Sequence, residues 1–351
     1  MDEQGIPMVG ILVGAISAAI GLFGLARTSV PLWITVTTVL AGVLVIAFFS
    51  ARRHGWLPRD LGAIGAAFGG LVLLGSASAI LATPASVAVW YITVITGGGV
   101  AAFVLAVADF QRIPSTDVAS AVRAISVGVL LMIGGFLVAG FLLAIPQVLG
   151  VEFSPVADSA FQQLALGIAF VSTTIGFLLG TDRQLGYLDI ERPDRRGLVW
   201  IVGGIVGVIG AAIVIGVIFT WFGIDGAEHE LSRRAREEGA ILLLVGMPLT
   251  LFVTAVGEEM LYRNGIQKYL TERFHSSIAI VLTSVMFAGA HVTAFSDVDI
   301  MALLASLSLI FVLSVLIGYI YERTRNVVIP ILIHGCYNVF VYGIWYLDIV
   351  G

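Results

Sequence analysis

Eleven long apolar runs dominate this chain and leave it few ways to fold. They cover roughly 7–26, 30–50, 61–83, 86–108, 124–145, 159–180, 198–223, 239–258, 277–291, 300–321 and 327–347. A buried helix of a soluble domain seldom needs about 20 apolar residues in a row, whereas a bilayer core of about 30 Å does. Within hydrocarbon every backbone N–H and C=O must be paired inside the protein, so such runs fold as helices. Only 12% of the residues are charged and the mean hydropathy is +1.04; soluble domains are roughly a quarter charged. The expected fold is therefore all-α, a polytopic membrane bundle of about 11 transmembrane helices.

The basic residues give an independent reading of the same count. With the N-terminus inside, the outer loops hold only Arg27, Arg233, Arg234 and Arg236 of the 18 lysines and arginines. The other fourteen fall on the inner side, and one missing helix would scramble that alternation. The expected orientation is N-terminus inside and C-terminus outside. Residues 225–238 carry mixed charge and suit a helix lying at the interface. The opening Met-Asp-Glu-Gln lacks the positive flank of a secretory signal, so the first span reads as a retained helix. The single cysteine, Cys336, has no partner for an intrachain disulfide. No basic run with interleaved aromatics suggests nucleic acid.

Small residues repeat every four positions at Gly10, Gly14 and Ala18, and again at Gly203, Gly207 and Ala211. That spacing lets helix backbones approach closely, and plain helix packing is the expectation for both. The charged stretch 181–197, which contains Pro193, suggests three regions. These are a six-helix region over 1–180 of unknown role, a cytoplasmic connection over 181–197, and a core over 198–347.

Ionisable groups inside a span cost roughly 2.5–3.5 kcal/mol each, which makes them functional candidates. The first six spans have essentially none away from their ends, while the last four are different. Glu258 ends the run 239–258, with Glu259 and Arg263 following. On a helix Glu259 and Arg263 are four apart and can pair. Glu258 then points about 100° away, free to face a cavity as a general base. The plainer reading is that both glutamates mark the membrane interface. His291 ends its run, where an interfacial histidine is the common case. His334 and Asn338 lie four apart on one face of an apolar span, where an interhelical hydrogen bond would also account for them. His54, His229 and His275 sit in charged loops.

The motifs Glu-Glu-x-x-x-Arg at 258–263, Phe-x-x-x-His at 287–291 and His-x-x-x-Asn at 334–338 occur in order on consecutive spans. In this the chain resembles the CPBP family, the type II CAAX prenyl endopeptidases with bacteriocin-processing and immunity (Abi-like) proteins. The resemblance covers roughly 160–347, most closely 240–342. It implies an intramembrane endopeptidase in which Glu258, with His291, activates water. His334 and Asn338 would stabilise the oxyanion, and Glu259 and Arg263 would support them. The implied partners are a peptide or protein substrate in or at the membrane and the bilayer itself.

Glu258, His291 and His334 could instead hold zinc. The metal-free glutamate mechanism is favoured, because Asn338 suits an oxyanion donor better than a zinc ligand. Rival functions are a non-catalytic membrane scaffold or immunity protein of the same family, and a transporter. A transporter would place polar breaks in both halves of the chain.

Depth poses a puzzle. If the eighth span ends near Glu258, His291, about 15 residues into the ninth, lies nearer the other face. Either the ninth helix is tilted or begins outside the membrane, or the eighth continues past Arg263. The site is expected to open to the cytoplasmic side.

Overall fold

The computed structural model describes residues 5–27, 30–81, 89–295 and 299–351. The backbone there pairs with itself almost throughout as helices, as hydrocarbon demands. The helices are α1 Gly5–Arg27, α2 Leu32–Arg53, α3 Arg59–Leu81, α4 Val89–Phe110, α5 Ser115–Val148, α6 Pro155–Gly180 and α7 Arg195–Trp221. They continue with α8 Glu230–Glu238, α9 Ile241–Thr271, α10 Ser276–Ala290, α11 Ile300–Thr324 and α12 Val328–Val350. All but the short α8 belong to segments long and apolar enough to span a membrane, eleven in all among the described residues. The chain is an integral, multi-pass helical membrane protein.

Two compact units divide the chain, Met1–Val122 and Arg123–Gly351. In the first, α1 to α4 form a closed ring in which each helix packs on the next and α1 returns to α4. Small residues permit this. A Cβ on Gly14 would lie 2.8 Å from the Gly42 carbonyl oxygen, and one on Gly70 would lie 2.9 Å from that of Gly99. Asp109, at the end of α4, is buried against Arg52 at 3.2 Å and Arg59 at 3.4 Å.

The stretch 181–197 lies inside the second unit, as do α5 and α6 beyond Arg123. There α9 packs between α6 and α12, and α10 lies along its C-terminal half. α7 covers α11 and α12. The side chains of α5, α6, α9 and α10 share one apolar cluster that includes Leu131, Phe170, Leu261, Ile266 and Phe287. The glycine repeat of α1 packs as expected, with Gly10 against Phe49. That of α7 does not, because Gly203 and Gly207 face open space, and it is Gly204 that meets Ile333.

Segment 181–194 straps one end of the second unit. Lys268 Nζ donates to Asp189 Oδ1 at 2.6 Å, and the Tyr321 hydroxyl donates to Asp189 Oδ2 at 2.6 Å. The Val327 N–H donates to the Asp189 carbonyl at 2.7 Å, and Asn326 Nδ2 donates to the Glu191 carbonyl at 2.9 Å. Arg183 and Glu272 pair at 2.7 Å, with the Tyr187 hydroxyl donating to Glu272 at 2.9 Å. Burial, with Glu272 adding to it, pushes the Tyr187 phenol well above its ordinary pKa. At the other end α8 is tied down by Arg234 on Asp158 at 3.1 Å and Arg236 on Asp348 at 3.0 Å.

Candidate active site

The expected eighth span stops at Glu258, but α9 runs thirteen residues further, to Thr271. Two glutamates and an arginine read locally as a membrane boundary, yet Glu259 and Arg263 pair within the protein and the helix continues. Glu258 thus lies about 20 Å along the axis from Thr271, and His291 lies about 22 Å from the start of α10. The two depths match, and continuation of the eighth helix resolves the puzzle.

The helix is not regular where it carries these groups. Pro248 lies inside it, 250–254 and 260–267 are wound as π-helix, and Glu258 and Glu259 sit on the short α-helical stretch between. π-helical turns shift side-chain register and are frequent at functional sites. Directly before Glu258, α9 touches α6 backbone to backbone. A Cβ on Gly257 would lie 2.7 Å from Gly167 Cα. Beside His334, a Cβ on Gly335 would lie 2.9 Å from Leu251 Cα. Glycine at these positions brings the three helices close enough for their polar groups to meet.

Glu259 and Arg263 are both fully buried, and Arg263 Nε donates to Glu259 Oε2 at 2.8 Å. Arg263 also donates to Ser314 at 3.0 Å, and Ser314 to Ser284 at 3.1 Å, so α9, α10 and α11 share one polar chain. His334 Nδ1 lies 2.8 Å from Glu259 Oε1, while its Nε2 stands 3.5 Å from Glu258 Oε2. A carboxylate only accepts, so the His334 Nδ1 carries its proton. His291 Nδ1 lies 2.8 Å from the Phe287 carbonyl oxygen, so it too is protonated there and neutral His291 keeps its lone pair on Nε2. Asn338 Nδ2 donates to the Thr250 hydroxyl at 3.0 Å.

Glu258, His291, His334 and Asn338 all line one cavity of about 1080 Å³. Glu259 and Arg263 stand behind it. The cavity is walled by the later half of α5, the first two thirds of α6, residues 227–236, α9 from Thr254 to Tyr262, the end of α10 and the residues that follow it, the middle of α11, and α12 from His334 to Trp345. It therefore reaches toward the end of the unit that carries α8. The strap 181–194 covers the opposite end, with Arg183, Lys268 and Arg273 nearby.

His229, a loop histidine by its sequence context, is a wall residue of the cavity. Its ring packs on Trp345 at 5.4 Å and on the edge of Phe295 at 5.6 Å, and its Nδ1 accepts from the Leu231 N–H at 3.1 Å. Burial, and then the nearby His291, lower its pKa to about 4. A short backbone bridge joins His229 to Phe295, so this segment folds over the His291 side of the cavity.

Zinc would need its ligand atoms gathered about one centre at roughly 2.0–2.3 Å. Among the described residues, no three His, Cys, Asp or Glu side chains are grouped that way. His334 spends Nδ1 on Glu259 and turns Nε2 toward Glu258. As arranged, Glu258, His291 and His334 do not fit the ion.

Residues 240–340 match the family model described as type II CAAX prenyl endopeptidase Rce1-like, in agreement with the motif resemblance. Glu258, Glu259, Arg263, His291, His334 and Asn338 all fall within that stretch. No curated protein and no solved structure matches the chain.

Proposed function

We propose that this protein is an intramembrane endopeptidase that uses Glu258 as general base on a peptide bond of a membrane-associated substrate. The observation that carries this reading is the asymmetry of the two adjacent glutamates. Glu259 is saturated by Arg263 and His334, whereas Glu258 lines the cavity with its nearest charged partner 3.5 Å away. A carboxylate so placed can take a proton from water.

Glu258, with the His291 Nε2 lone pair, orients a water and removes its proton as the oxygen bonds to the peptide carbonyl carbon. The carbonyl π electrons move onto its oxygen. His334, as an imidazolium protonated on Nε2 as well as on Nδ1, and the second N–H of Asn338 face that charge as hydrogen-bond donors. The C–N bond then breaks, and the proton held by Glu258 passes to the leaving amine. Glu259 and Arg263 hold the His334 ring in place. The catalytic core is 198–347, with α6 as the scaffold against which α9 is set.

The substrate enters from the face that carries α8. By the charge asymmetry of the loops this is the extracytoplasmic face. The natural test is proteolysis of a membrane-tethered peptide library, prenylated and unprenylated, by purified protein and Glu258→Ala. Cleavage should fall by about 10²–10⁴-fold in the variant and survive chelation of metals. Equal cleavage by the variant would remove the mechanism, and loss on chelation that zinc restores would replace it with a metal-dependent one.

A further inference from the structure

Most polar side chains of the cavity wall already have partners in the protein. His334 is bound to Glu259, His291 to the Phe287 carbonyl, Asn338 to Thr250, and Gln163 to Thr254. Tyr262 differs. It lines the same cavity and is 1% exposed, yet its hydroxyl meets no hydrogen-bond partner. Among the described wall residues it is the one with a buried polar side-chain atom left unsatisfied. A buried hydroxyl without a partner destabilises the fold relative to phenylalanine, which would fill the same space.

Its position is also well defined. Tyr262 follows Glu258 by about one helical turn, on the cavity side of α9. Its ring is held edge-on by Phe170 at 6.2 Å and by Phe287 at 4.9 Å. Phe287 in turn packs on His291 at 4.6 Å and on the edge of His334 at 5.7 Å. One phenylalanine therefore spaces the phenol from both imidazoles.

We infer that Tyr262 is a further catalytic residue, whose hydroxyl donates a hydrogen bond to the peptide carbonyl oxygen as it becomes an oxyanion. This rests on the endopeptidase reading above. The phenol keeps its proton throughout. The water's proton still travels by way of Glu258 to the amine, so the overall reaction is unchanged. The donor is uncommitted in the resting protein and rigidly placed, which suits a group that acts only when charge develops.

The test compares wild type, Tyr262→Phe and Glu258→Gln on a membrane-tethered peptide that the wild type cleaves. Tyr262→Phe should lower kcat by about 10–10³-fold, with KM within about threefold and a thermal midpoint no lower than wild type. A peptidyl phosphonate, which mimics the tetrahedral intermediate, should bind Tyr262→Phe more weakly by a similar factor, while the uncleaved peptide binds as before. A fluorinated tyrosine at 262, a stronger donor that keeps the packing, should not lose activity. Full activity in Tyr262→Phe with Glu258→Gln inactive overturns this inference alone, as does a kcat loss accompanied by an equal fall in thermal stability. Full activity in Glu258→Gln overturns the endopeptidase reading and this one with it.

Discussion

His334 Nδ1 lies 2.8 Å from Glu259 Oε1, and through that contact α12 is joined to the Glu259–Arg263 pair inside α9. Neither carboxylate oxygen of Glu259 is left over, since Oε2 accepts from Arg263 Nε at the same distance. The neighbouring Glu258 has no such saturation. Two identical side chains, adjacent in the chain, are thus divided between holding the site together and facing the cavity. The π-helical turns on either side of them and the glycine contacts at 257 and 335 set which side each one takes.

Glu259→Gln leaves Arg263 buried with its main partner neutralised. Removing one member of a buried ion pair costs about 3–5 kcal/mol. The expected outcome is a large fall in thermal midpoint in detergent. Glu258→Gln, which breaks no full-strength ion pair, should leave the midpoint nearly unchanged. Thermal unfolding of the two variants side by side checks this, and equal midpoints would contradict the division of roles.

Gly257→Ala would place a methyl 2.7 Å from Gly167 Cα and 2.8 Å from the Gly167 carbonyl oxygen, both backbone atoms. The helices must separate, at a cost of about 1–3 kcal/mol, and Glu258 moves with the turn. Gly203→Ala on α7, where nothing lies within 4 Å, should be neutral. Stability and peptide cleavage measured on both variants separate a true helix contact from a mere small-residue pattern.

His229 is neutral in the folded protein, with a pKa lowered to about 4 by burial and then by His291. Its ordinary value is about 6.5. A depressed histidine leaves stability intact above the ordinary value and lowers it as pH falls through the window from about 6.5 to about 4, because the opened state takes up the proton more readily. The wild type should therefore lose thermal stability over that window more steeply than His229→Phe, which retains an aromatic ring against Trp345 and Phe295. Parallel curves for the two proteins would refute a buried neutral imidazole.

Asp189→Asn weakens the strap far from the cavity. It removes the charge that meets Lys268 at 2.6 Å and the Tyr321 hydroxyl at 2.6 Å. Loss of one such partly buried charged contact should cost about 1–3 kcal/mol. Cleavage per folded molecule should stay as in wild type, read as active-site-normalised kcat after thermal unfolding has fixed the folded fraction.

Much of this protein is legible in its sequence, because the relevant physics is one-dimensional. Runs of about 20 apolar residues must be helical in hydrocarbon whatever their neighbours are, so the eleven spans and the all-helical class follow from hydropathy and length. The cost of polar groups in such runs likewise singles out Glu258, Glu259, Arg263, His291, His334 and Asn338, and their i,i+4 spacing anticipates the Glu259–Arg263 pair. Three-dimensional pairing decided the rest. Glu258 and Glu259 read as the end of a span until Arg263, one turn further along α9, and His334, from α12, pair with Glu259 and the helix continues. His229 read as a loop residue until Trp345 and Phe295 bury it. The end of the bundle to which the cavity reaches depends on where 181–194 packs, fifty or more residues away from the glutamates in the chain. A charge's cost can be read from its own position; whether that charge is paired, and which donor stays unpaired as Tyr262 does, depends on groups brought together only by folding.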